Sequence, residues 1–138
     1  MPSQFPPPTN TPLSGPIGPL PAAFSRVLLR QLLATRVDDT TMTDARRLAL
    51  WESARQALLS FEPADPMEAM LAAQAVAAHG AATDCLRQAA QRTSATPADA
   101  HTARLHANAA DLMQSYQTVL RQLERHRGWA TSKRPYRL

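Results

Sequence analysis

Apolar side chains recur along most of this chain at the three- and four-residue spacing of an amphipathic helix, in four stretches separated by polar or proline-containing breaks. The first, residues 22–36 ("AAFSRVLLRQLLATR"), places Phe24, Val27, Leu28, Leu32 and Leu33 on one side and Arg26, Arg30 and Arg36 towards the other. The second, residues 44–61, brings Leu48, Trp51, Ala54, Leu58 and Phe61 round at helical spacing. Pro63 ends it, because proline disfavours the right-handed helical region for Glu62 before it. The third covers residues 65–92 and carries its own start signal. Asp65 can cap, Pro66 suits the first helical position, and Glu68 stands three residues after the cap. "ATPADA" repeats that design at Thr96, Pro97 and Asp99, opening a fourth helix over 97–127 that Gly128 is expected to stop.

The two long helices are joined by the short "RTSA" segment, which predicts an antiparallel hairpin. In the second of them Leu105, Ala109, Leu112, Tyr116, Val119 and Leu123 alternate at four- and three-residue intervals, the seam of a coiled coil. The first offers Met67, Leu71, Ala78, Ala82, Cys85 and Ala89 to that seam. Bulky side chains on one rod thus face small ones on the other, which lets the backbones approach closely. A turn near residue 94 would set His79 opposite Asn108, Ala109 and Leu112, where a His79–Asn108 contact could fix the register. The predicted fold is all-α: a long hairpin, with the two shorter helices packing against it to form a bundle.

Composition divides the chain further. Residues 1–21 hold eight of the twelve prolines and two of the four glycines, which predicts a disordered arm with polyproline II character. A helical domain over 22–128 and a basic tail over 129–138 follow. Alanine is absent before residue 22 and abundant after it. It favours helix but buries little area, so the core should be thin and a homodimer through the long helices is expected. The arm has neither the basic start nor the apolar run of a secretory signal, and Ala69–Ala82 is too short and polar to cross a membrane. The single Cys85 cannot form an internal disulfide and fits a reducing compartment, so the cytoplasm is the expected location.

Reaction chemistry finds little purchase. His101 and His106 are five residues apart, poor spacing for sharing an ion on a helix, and a metal-dependent enzyme using His79 and His106 is the weakest reading considered. Cys85 lies on an apolar face, where an inert thiol is the ordinary outcome. Asp84, Asp99 and Asp111 are scattered over helix surfaces and caps, and the folded part has no glycine-rich phosphate loop. No catalytic, cofactor or metal residue is assigned, and no small-molecule substrate is expected.

Charge is the least uniform feature. Residues 121–138 ("RQLERHRGWATSKRPYRL") carry six Arg or Lys against Glu124, net +5, whereas residues 1–120 are net −1, so the excess of +4 resides in the C-terminal segment. There Arg121, Arg125, Arg127, Lys133, Arg134 and Arg137 are interleaved with Trp129 and Tyr136. That mixture could contact nucleic acid, through phosphates and base stacking, or an acidic protein. The plainer account is cations answering a helix C-terminus, followed by a solubilising tail.

"DPMEAMLAAQAVAAHGAATDCLRQA" followed by "ANAADLMQSYQTVLRQLERHRG" resembles a family of small alphaproteobacterial helical proteins, over about residues 65–128. A weaker echo lies in the leucine-rich segment 24–36. The shared features are the "EAMLAAQ" opening, a histidine at His79 and the Arg125–Arg127 ending. Where the family continues into a valine- and histidine-rich tail, this chain has "WATSKRPYRL". The family has no established activity, so the resemblance implies the helical pattern and no site. The expectation is a non-enzymatic helical interaction module that self-associates, with a nucleic-acid-binding accessory role as the alternative.

Overall fold

A computed structural model describes residues 20–34, 43–93 and 99–132 of the chain. These form four helices and no strand: α1 (Ala22–Ala34), α2 (Asp44–Ser60), α3 (Pro66–Thr93) and α4 (Ala100–Ser132). The all-α bundle with its long hairpin is as the sequence predicts, and each helix is set by local chemistry.

In α1 the buried positions are Ser25, Leu28, Leu29, Leu32 and Leu33. Val27 is turned outward, 53% exposed, because it lies about 100° from Leu28 around the helix. Leu29, not Val27, completes the apolar stripe. Of the proposed arm, only Leu20 and Pro21 belong to the described residues. Leu20 is 4% exposed within the core, and the Ser25 N–H donates to the Pro21 carbonyl at 3.0 Å. The arm's last residues therefore anchor α1.

Thr43 caps α2, its hydroxyl accepting from the Arg46 N–H. Ala54 and Leu58 point inward and Trp51 flanks them, while Leu48, expected on that face, is 52% exposed a turn before the packed region begins. Glu62 leaves the right-handed region, which Pro63 disfavours for it, and ends the helix in the left-handed one at φ 47°, its N–H bonded to the Leu59 carbonyl, and Pro63 itself is fully buried.

Helix α3 is the shared element. Ala69, Ala72, Ala73 and Val76 on its N-terminal half pack with Leu28, Leu29 and Leu32 of α1 and with Ala54 and Leu58 of α2. Its other side faces α4, and among the described helices α4 packs on α3 alone. The meeting surface of α3 has alanine every seventh residue: Ala75, Ala82 and Ala89 are all at most 1% exposed. Against them lie Leu105, Ala109 and Leu123 of α4, also buried, and Leu112, Tyr116 and Val119, half-buried. The α4 stripe expected from the sequence is therefore buried at three positions and half-buried at the other three. On α3, Leu71, Ala78 and Cys85 border it half-buried, Ala82 and Ala89 are central, and Met67 lies outside it at 49% exposure.

Three local expectations are corrected. Asp99, not Thr96, caps α4: its carboxylate accepts the Thr102 N–H at 2.7 Å, so the helix starts at Ala100. Thr96 and Pro97 lie outside the described residues. Gly128 does not stop α4, which runs on to Ser132 and carries Trp129 as a helical residue. A glycine ends a helix only where the chain turns into the left-handed region, and nothing here compels that turn. Finally, His79 meets Tyr116, with ring centroids 5.7 Å apart, rather than Asn108. His79 thus meets α4 eight residues beyond Asn108, a slide in register of about two helical turns.

Because Ala82 is only 1% exposed on the face that meets α4, Ala82→Leu should force the helices apart. A loss of about 1–3 kcal/mol is expected in urea unfolding, without loss of helix content at low denaturant.

Candidate functional site

The chain start of α3 and the C-terminal third of α4 meet at the open end of the hairpin, where four charged or titratable side chains converge. Asp65 caps α3 as its sequence predicts, Oδ1 accepting the Glu68 N–H at 2.9 Å. Glu68 reaches back in turn, but to the Ala64 N–H, at 3.0 Å through Oε2. That places the Glu68 carboxylate under the end of α4, 4% exposed. A buried carboxylate needs a cation, and Arg127 supplies it: Nε and Nη2 each lie 3.1 Å from Oε2, and Nη2 also donates to the Phe61 carbonyl. One residue earlier, His126 Nε2 lies 2.8 Å from Asp65 Oδ2. Adjacent residues of α4 thus clamp two carboxylates one helical turn apart on α3. At the other end of the hairpin Arg92 and Asp99 pair at 3.6 Å, more exposed and so weaker.

The Asp65 carboxyl is held below its ordinary range, chiefly by the His126 hydrogen bond and next by the Glu68 backbone N–H. Asp65, Glu68 and His126 each present one atom that could ligate a metal, all within 4.8 Å. In the structure those atoms bond to one another and to Arg127, and no buried side-chain nitrogen or oxygen among the described residues lacks a partner. The Arg127 guanidinium already provides the positive charge that a cation would bring. The cluster acts as an ionic latch that closes the hairpin.

This latch divides the basic residues singled out in the sequence. Arg127 belongs to it and is turned inward. Arg121 and Arg125 are exposed, their Nε groups donating to the carbonyls of Gln117 and Arg121, and neither has a carboxylate partner among the described residues. With α4 ending at Ser132, Arg121 lies three turns from the terminus, out of reach of the end of the helix dipole. Trp129 is 70% exposed. Lys133, Arg134, Tyr136 and Arg137 lie outside the described residues. His79 and His106 are not brought together: His79 packs against Tyr116 with the rings tilted by 48°, ten residues or about 15 Å along α4 from His106. Cys85 is half-buried beside the seam.

The latch went unforeseen because its members were assigned separately, Asp65 and Glu68 to a cap and Arg127 to a basic run. The signal was available in the hairpin itself, since an antiparallel pair brings the start of one helix to the end of the other.

No protein-family model matches this chain, and neither a curated protein nor a solved structure gives a match. The resemblance to the alphaproteobacterial helical family therefore rests on its sequence motifs alone.

Two outcomes test the latch. Arg127→Ala strands the Glu68 carboxylate and should cost about 2 kcal/mol in chemical unfolding, whereas Arg121→Ala should cost less than about 0.5 kcal/mol. A carboxylate whose folded pKa is depressed stabilises the fold above its unfolded pKa and loses that contribution as pH falls through the folded value. Stability should accordingly fall on acidification below about pH 4. Asp65→Asn keeps an oxygen for the Glu68 N–H but loses the charge, so stability measured across that range should change less steeply with pH.

Proposed function

We propose that this chain is a non-enzymatic helical interaction module that self-associates through its long hairpin. The observation that carries the reading is the uneven cover over α4. Its apolar stripe includes Leu112, Met113, Tyr116, Val119 and Leu120, all only half-buried, because α4 has a single, alanine-lined partner helix. Met113 and Leu120, a heptad apart, flank the seam on the same side as Arg127, and Leu86 on α3 is 46% exposed. A second copy brings the same stripe, so two hairpins pairing about a two-fold axis bury both at once. The shape requires no other partner. No helix among the described residues is long and apolar enough to cross a membrane, and the lone Cys85 supports a cytoplasmic setting.

A second reading, an accessory protein that contacts nucleic acid, is favoured by Arg121 and Arg125, which project from α4 without carboxylate partners among the described residues. Lys133, Arg134 and Arg137 follow them in sequence.

Light scattering on the purified chain at tens of micromolar should give twice the monomer mass. Met113→Glu with Leu120→Glu should return it to monomer with helix content retained, since both positions lie outside the buried seam. A monomeric wild type overturns self-association.

A further inference from the structure

Four side chains on three successive turns of α4, Gln122, Arg125, His126 and Trp129, line one open depression of about 360 Å³. We infer that this depression is a stacking subsite for a nucleotide of single-stranded nucleic acid, an assignment that rests on the nucleic-acid reading of the basic segment.

Three features point there. Trp129 is 70% exposed on the rim, a large planar apolar surface held on a helix rather than on a tail. Any base can stack on such a ring whatever its sequence. Beside it, Arg125 uses only Nε internally, on the Arg121 carbonyl, which leaves the rest of its guanidinium fork for a phosphate. His126 completes the floor and is not free to swing away, because its Nε2 is tied to Asp65 at 2.8 Å. The latch therefore gives the depression one rigid wall. Gln122 adds an amide able to donate to or accept from a base edge.

The surroundings select the class of ligand. Arg121 and Arg125 stand exposed on this stretch of α4 without a carboxylate partner among the described residues, so the surface beside the depression offers an anion two cations. Paired bases in a duplex do not offer a face to a single indole, whereas unpaired ones do. A lipid surface would require an apolar face on the helix, and Trp129 is flanked instead by Gln122, Arg125 and Thr131.

The experiment is binding of a fluorescein-labelled oligothymidylate of about 16 nucleotides to the full-length chain, followed by anisotropy at about 50 mM salt, with tryptophan emission recorded in parallel. The wild type should bind with quenched emission. Trp129→Leu should abolish the quench and weaken binding about fivefold or more, as should Arg125→Glu. Arg104→Glu, at the far end of α4, should change the affinity little. Helix content by circular dichroism accompanies each variant. If the wild type does not bind, the nucleic-acid reading and the subsite fall together. If it binds but Trp129→Leu and Arg125→Glu bind as well as Arg104→Glu does, the basic segment still contacts nucleic acid and the subsite falls. Retention on anionic phosphatidylserine vesicles without oligonucleotide binding overturns both in favour of a lipid surface.

Discussion

How closely α4 can approach α3 decides everything else in this molecule. Alanine at Ala75, Ala82 and Ala89 removes the side-chain volume that normally keeps two helices apart, and the bulk comes from the opposite rod, at Leu105, Tyr116 and Leu123. The interface is dense but narrow, because each alanine contributes little buried area. A narrow interface leaves the flanks of the larger-faced helix half-covered, which is why Met113 and Leu120 of α4 stay only half-buried. The alanine on the other side of α3 serves α1 and α2 in the same way. One slender helix thereby holds three others without being buried by bulky neighbours of its own.

A seam made of methyl groups has weak preferences about sliding, since neighbouring alanine layers are nearly equivalent. The ends of the hairpin supply what the middle lacks. Asp65, Glu68, His126 and Arg127 make specific, directional contacts at one end, and Arg92 and Asp99 do so at the other. The 4% exposure of Glu68 makes its pairing with Arg127 the more demanding of these, because a slip of one turn would leave a carboxylate buried without its cation. His79 on Tyr116 adds an aromatic check at mid-length. Register is thus set by polar and aromatic contacts, while cohesion comes from the apolar seam.

The latch also changes what the basic segment means. In one dimension Arg121, Arg125 and Arg127 are equivalent members of a run of cations. On a helix they diverge by the 100° step between residues, and the one that faces α3 is drawn into the structure. What stays outside is a smaller, ordered set around Trp129, brought into the helix because α4 passes through Gly128. The divide between structural and surface charge falls inside a segment that composition alone treats as uniform.

The helices themselves were legible because their causes are local. Apolar spacing, the Asp65 and Thr43 caps and the break at Glu62–Pro63 act within a turn or two of the residues concerned. The α4 seam was legible for the same reason, as it repeats within one helix. What sequence could not reach were distances between helices. Whether α4 starts at Thr96 or Asp99, whether His79 meets Asn108 or Tyr116, and whether Arg127 serves solvent or Glu68 all depend on how two rods slide and rotate against each other. Periodicity in this chain determined that there would be four helices and that α4 would carry one apolar stripe. Only the packed structure decided their register and the inward turn of Arg127, because those follow from one buried carboxylate finding its cation across fifty-nine residues of chain.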